Sequence, residues 1–231
     1  MKLGIMQPYF LPYIGYWQLL NEVDKYVIYD DVNFIKGGWI NRNRILVNNK
    51  ITYFNLPMIG ASSSKLINQI RVNNDFKIMY KKLKTIELAY KKSPYFNEVY
   101  PIIKEILLYD DDNIALFIKN SMKIICEYLN IKTDIILSSD LKKDNTLRGQ
   151  DKVLAICKIL NASEYYNAIG GMELYSFDDF NKEGIQLKFL KSSLIKYKQF
   201  ETSVENLSIL DMLMFNSQEQ VKAYLKEFEV I

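Results

Sequence analysis

Leu3-Gly4-Ile5-Met6-Gln7-Pro8-Tyr9-Phe10-Leu11-Pro12-Tyr13-Ile14-Gly15-Tyr16 decides the fold, read together with Tyr26-Val27-Ile28-Tyr29-Asp30-Asp31. Each stretch begins as a short apolar run and stops in polar residues, the first at Gln7-Pro8 and the second at an aspartate pair. A buried strand reads this way where it leaves its sheet. Between the two, Tyr16, Leu19, Leu20 and Val23 recur at helical spacing. Strand, loop, helix, strand opens a parallel α/β sheet, which collects its chemistry at the carboxyl ends of its strands.

Working outward, residues 45–57 alternate weakly around Asn48-Asn49, as a β-hairpin does. Leu66 to Val72 reads as a short edge strand. Three helices are expected over about 74–130: one capped by Asn74 or Asp75, one opened by Ser93-Pro94, and one after Asp110-Asp111-Asp112. The sheet rhythm resumes with a strand at 134–137, a helix at 148–160, and strands at 164–168 and 185–190. Ser208 and Ser217 match capping spacing for helices at 210–215 and 221–228. The expectation is a single α/β domain over 1–231, with a Rossmann-like, mostly parallel sheet, a helical insert at about 74–130 and a small β-hairpin.

Composition removes several function classes. Thirty Lys and Arg against 27 Asp and Glu leave a net charge of +3, thinly spread, which argues against nucleic acid as a partner. The chain has no histidine, so Ser-His-Asp and Cys-His catalysis and His-ligated zinc are excluded. Cys126 and Cys157 each lie in an apolar helical pattern and read as buried free thiols of a reducing compartment. No apolar stretch approaches the roughly 20 residues of a membrane span, and the start lacks a signal peptide. A cytoplasmic location is expected.

Three constellations could carry chemistry. The turn before Gly15 resembles a strand-to-helix phosphate site. Tyr13-Ile14-Gly15-Tyr16 also overlays the His-x-Gly-His of adenylyl-transferring enzymes, with tyrosine at both histidine positions. Those histidines stabilise phosphoryl charge, and neutral tyrosine only donates a hydrogen bond. A shared geometry would make this chain a histidine-lacking relative of the nucleotidyltransferases. Second, Asp30-Asp31 offers a general base, a ligand for Mg2+ or an acceptor for sugar hydroxyls, against the plain reading of a turn cap. Strand alternation lets only one of the two face a given ligand. Third, Lys36, Arg42 and Arg44 offer cations for phosphate around the stacking face of Trp39, against a solvated hairpin.

The motifs at 6–20, 23–36 and 39–45, with Ile-Gly-Gly-Met-Glu-Leu-Tyr at 169–175, Tyr-Lys-Gln-Phe at 197–200 and 207–216, resemble the WbqC-like protein family. Two positions depart from the family's usual pattern, Asn33 where glutamine is common and Ser217 where glycine is common. The resemblance implies a role in bacterial surface polysaccharide (O-antigen) assembly more firmly than it implies a reaction. An enzyme is expected, a transferase moving an acyl or aminoacyl group onto the amine of a nucleotide-linked sugar. The alternative is a non-catalytic nucleotide-sugar-binding or assembly protein of the same pathway. Asp30, Asp31 and Lys36 are the candidate catalytic residues. Gln7, Tyr9, Tyr13, Tyr16, Trp39, Asn41, Arg42, Asn43, Arg44, Tyr166, Asn167, Gly170, Gly171, Tyr197, Gln199 and Asp211 are the candidate substrate-binding residues. No metal site is assigned, a nucleotide carrying Mg2+ is compatible with the set, and so is a homo-oligomer. The recurrence of C-terminal residues with the opening motif implies that both ends of the chain build one pocket.

Overall fold

In the computed structural model, which describes Met1–Ile231, the opening block forms β1 (Lys2–Met6), α1 (Ile14–Glu22) and β2 (Lys25–Ile28). A hairpin follows, β3 (Arg42–Val47) and β4 (Lys50–Asn55), then a small ladder of β5 (Met58–Ile59) and β6 (Arg71–Val72). Helices α2 (Phe76–Tyr90), α3 (Phe96–Leu107) and α4 (Ile114–Leu129) make the insert. The sheet resumes with β7 (Asp134–Leu137), α5 (Gly149–Ile159), β8 (Glu164–Ala168), α6 (Phe177–Lys182) and β9 (Gln186–Ser192). The chain ends in α7 (Ile209–Phe215), α8 (Gln218–Tyr224) and β10 (Phe228–Val230).

The six-stranded sheet has the order β10-β9-β8-β1-β2-β7. Every neighbouring pair is parallel except β9 with β10. The chain builds outward from β1 through β2 to β7, then crosses back to place β8 on the other side of β1. The point between β1 and β8 is therefore a topological switch point, where open α/β sheets hold their ligands. The Rossmann-like reading of the sequence agrees with this topology.

Strand alternation divides the core in two. Leu3, Ile5 and Val27 face a layer with Val153 and Ile156 of α5 and Phe180 of α6. Tyr26, Ile28 and Tyr166 face the larger layer with Trp17 and Leu20 of α1 and the helices of the insert. Each fully buried large apolar side chain contributes about 1.5–3 kcal/mol, so this second layer dominates the stability of the fold. Gly4 lets β1 pack closely on the Tyr26 ring, from which a Cβ would lie 3.1 Å away.

Local signals account for most helix starts. Asp75 accepts from Lys77 and Ile78, Asn113 from Ala115 and Leu116, Ser208 from Leu210, and Ser217 from Gln220. The hairpin turns at Asn48 and Asn49, whose φ values of 49° and 59° suit asparagine. Two expectations are corrected. The stretch 66–72 is mostly a 3-10 turn at Ile67–Gln69, with only Arg71–Val72 paired to β5. The last helix stops at Tyr224, and Phe228–Val230 leaves it to pair with β9. Cys126 and Cys157 are free and buried, and burial pushes both thiols up to about 12. No helix is long and apolar enough to cross a membrane.

Candidate functional site

Three adjoining cavities lie along the carboxyl ends of the parallel strands. The largest, about 560 Å³, sits at the switch point, between Gln7 after β1 and Asn167, Gly170 and Gly171 at the end of β8. Ile5, Met6, Ile35, Leu174 and Tyr175 supply its apolar walls. A polar cavity of about 390 Å³ lies beyond β2, lined by Asp31, Asn68, Ser139, Arg148 and Lys152. Tyr29 and Gly149 border both. The third, about 290 Å³, is walled by Tyr9, Pro12, Tyr13, Trp39, Asn43, Arg44 and Asn206, and shares Tyr9 with the first.

The aspartate pair follows the end of β2 at Ile28, and its two side chains go to different places. Asp30 is fully buried and accepts from the Ser139 amide at 2.9 Å, the Ser139 hydroxyl at 2.6 Å and the Asn68 amide at 3.2 Å. Those bonds tie the end of β2 to the turn after β7 and to the 3-10 turn between β5 and β6, so Asp30 is a buried clamp. Asp31 lines the polar cavity instead. Its Oδ2 lies 2.7 Å from Lys143 Nζ and 3.0 Å from Lys152 Nζ, both lysine side chains being almost wholly buried. Its Oδ1 has no hydrogen-bond partner in the protein. Burial opposes the Asp31 carboxylate, yet the Lys143 ammonium, the Ser138 hydroxyl and the Lys152 ammonium beside it prevail and hold its pKa below the ordinary value.

Lys152 also donates to the Asp31 carbonyl at 2.8 Å, and its ammonium stands over the Tyr29 ring at 5.3 Å. Arg148 curls onto its own loop, donating to Asn145 O at 2.6 Å and Leu147 O at 2.8 Å, and makes no ion pair. Gly149, at φ +50°, turns the chain from Arg148 into α5, whose first turn has no side-chain cap. Two cationic side chains therefore face one carboxylate around an uncapped helix start, an arrangement that favours an anion. No group of three or more acidic, cysteine or histidine side chains converges anywhere. With Asp31 matched by two ammonium groups, the donor set suits an anion and not Mg2+, and no step is derived through that ion.

Of the residues predicted from sequence, Gln7, Tyr9, Tyr13, Asp31, Trp39, Asn43, Arg44, Asn167, Gly170 and Gly171 line the cavities. The others lie elsewhere, for identifiable reasons. Lys36 is exposed and borders none of the three cavities. Tyr16 is buried and donates to the Gln7 carbonyl, so it shapes the turn from behind. Asn41 donates to the Leu56 carbonyl, and Arg42 is held by the Gly37 and Gly38 carbonyls and the Tyr53 ring. Tyr166 faces the core on the α1 side and bonds Glu164.

Tyr197 and Gln199 donate to Asp211 Oδ1 at 2.8 and 2.7 Å, and Tyr90 donates to Oδ2 at 2.7 Å. Asp211 is fully buried, and burial raises its pKa despite these donors. The Tyr90 hydroxyl in turn accepts from the Leu46 amide, so this knot braces β3 and does not touch the cavities. A Cβ on Gly15 would lie 2.5 Å from the Tyr13 ring, so that ring packs directly against the start of α1.

Sequence reasoning missed Lys143, Arg148, Gly149, Lys152 and Asn206. Both ends of the chain do meet at the site: Ser208 Oγ donates to the Leu11 carbonyl, the Ile209 amide to Pro12, and Arg44 to the Asn206 carbonyl. No solved structure matches the chain. A protein of Mycobacterium tuberculosis (strain ATCC 25618 / H37Rv), the uncharacterized protein Rv1507c, is 28% identical over 237 residues, covering 97% of each chain. A family model matches residues 7–223, and the chain belongs to the WbqC-like protein family.

Proposed function

We propose that the protein is an enzyme that binds a nucleotide-linked amino sugar along this trough and transfers an acyl or aminoacyl group to the sugar amine. The pathway is the surface polysaccharide assembly with which its family is associated. The observation that carries the reading is the continuity, through Tyr29 and Gly149, of the half-apolar switch-point cavity with the cavity that holds Asp31 and Lys152. The nucleoside packs against Met6, Leu174 and Tyr175, within reach of the Gln7 and Asn167 amides. The diphosphate takes Arg148 and the free amides of the first turn of α5. The sugar amine meets Asp31 Oδ1, the carboxylate oxygen that neither lysine pairs with.

Asp31, with its lowered pKa, is a weak base. It orients a neutral amine by accepting one of its N–H groups as the amine attacks the carbonyl of an activated acyl donor, and Lys152 offers positive charge to the oxyanion that forms. The attack makes the C–N bond, collapse of the oxyanion breaks the bond to the donor's leaving group, and the amine's proton departs with that group or to water. A second reading, binding without chemistry, is favoured by the same observation that Asp31 is already ion-paired and Asp30 fully hydrogen-bonded.

Calorimetric titration with a panel of nucleotide-linked amino sugars tests the binding step. Saturable binding is expected, weakened about tenfold or more in Arg148→Ala, since charge-assisted hydrogen bonds are worth roughly 1.5–3 kcal/mol. Absence of heat with every member of the panel sinks the reading. Once a substrate is found, Lys152→Met retaining full turnover assigns the chemistry elsewhere and favours the binding protein.

A further inference from the structure

We propose that the aromatic cavity is a separate subsite for an acidic monosaccharide, with its carboxylate on Arg44 and its ring faces against Trp39, Tyr9 and Tyr13. The choice of a sugar rests on the proposed function of the adjoining trough. The choice of an anion does not, because Arg44 carries it alone.

Arg44 makes no ion pair, and no carboxylate lines the cavity. One Nη donates to the Asn206 carbonyl at 2.9 Å, while Nε is buried without a partner. The guanidinium lies 5.7 Å from the centre of the Trp39 ring. An arginine held against aromatic and proline surface, with its counter-ion missing from the protein, is a receptor for a planar anion. The single cation favours a carboxylate, whose one charge it balances, over a phosphate dianion.

Size and surface select the rest of the ligand. Small-molecule sites run roughly from 300 to 1,000 Å³. At about 290 Å³ this one holds a single ring and not a nucleotide. Aromatic side chains combine an apolar face with polar edges, and so accept the C–H faces of a pyranose while leaving its hydroxyls to water and amides. The binding groups are also fixed in place. Asn43 donates to the Phe10 carbonyl and accepts from the Arg44 amide, and Asn206 presents its carbonyl from a left-handed conformation at φ 54°. Because Tyr9 walls both cavities, the acidic sugar lies beside the nucleotide-linked one, and the subsite sets which saccharide is brought to it.

The test follows the indole N–H signals of the protein's two tryptophans during titration with sodium glucuronate, glucose and benzoate. Trp17 is buried with its N–H on the Pro12 carbonyl, and Trp39→Phe assigns the other signal. Glucuronate is expected to shift the Trp39 signal saturably, with glucose and benzoate each about tenfold weaker or more. Arg44→Met should lose the glucuronate response by a similar factor, and Arg44→Lys should keep part of it. Equal responses to glucose and glucuronate, equal responses to benzoate and glucuronate, or an unchanged response in a folded Arg44 variant overturn the proposal. Titrating a nucleotide-linked sugar into the same samples separates the two readings, since failure of the trough leaves the glucuronate result intact.

Discussion

Asp31 and Asp211 are both buried carboxylates that join distant parts of the chain, yet their partners differ in kind. Asp31 is met by two ammonium groups at the edge of a cavity and keeps one oxygen unpartnered. Asp211 is met by two phenols and an amide in a sealed core, with both oxygens engaged. Neutral donors satisfy a buried carboxylate without giving it anything to do to a ligand. Charged donors beside an open volume create a field that a substrate can use. The opposite directions of the two pKa shifts express the same difference.

The largest effect should come from removing the core carboxylate. Asp211→Ala leaves the hydroxyls of Tyr90 and Tyr197 and the Gln199 amide without their acceptor, at a cost of about 3–5 kcal/mol in urea unfolding. Ligand binding by the fraction that stays folded should be unchanged. A loss below about 1 kcal/mol would mean that the knot is not what braces β3. Asp31→Asn should cost a comparable amount, about 3 kcal/mol, because Lys143 and Lys152 stay buried without a counter-charge even though the new amide oxygen still accepts from one of them. Its effect on the proposed transfer should be complete, and wild-type turnover in this variant breaks the contrast between the two aspartates.

Acid titration of stability sharpens the comparison. The folded-state pKa of Asp31 is depressed, so its stabilisation is present above the ordinary aspartate value and is lost as pH falls through the folded value. The pKa of Asp211 is raised, so ionising it penalises the fold above that raised value, and the penalty is relieved as pH falls through it. Asp31→Asn should therefore flatten the acid limb below the ordinary value. Asp211→Asn should steepen the limb above it. Both variants shifting the limb in one direction contradicts the assignment. The smallest effect is expected for Lys36→Ala, within about 0.5 kcal/mol in stability and with unchanged nucleotide-sugar binding, because that side chain is exposed and borders no cavity.

These regions also differ in how far they can be read from sequence. The parallel sheet was legible because β1 and β2 are short apolar runs that stop at Gln7 and at Asp30-Asp31, and the hairpin because Asn48-Asn49 is a local turn signal. That the two aspartates would part was expected from strand alternation, although β2 ends at Ile28 and the loop beyond it does the parting. Which one lines the cavity, and with what partners, was not legible. Lys143 and Lys152 lie on a loop and a helix more than a hundred residues away, and no local pattern marks a lysine that will be buried against a carboxylate. Tyr197, Gln199 and Asp211 stand out in sequence as polar residues in apolar surroundings. The same appearance suits a pocket and a satisfied core network, and only burial decides between them. At Tyr13-Ile14-Gly15-Tyr16 the spacing showed a turn into a helix, and only the structure shows the Tyr13 ring packed on Gly15.

The account turns on where a nucleotide-linked sugar sits. A crystal structure of the protein with such a sugar bound tests this most directly. The prediction is a nucleoside at the switch point beside Gln7 and Asn167, a diphosphate at Arg148 and the first amides of α5, and the sugar amine on Asp31 Oδ1. A bound ligand that leaves Arg148 and Asp31 untouched would contradict it.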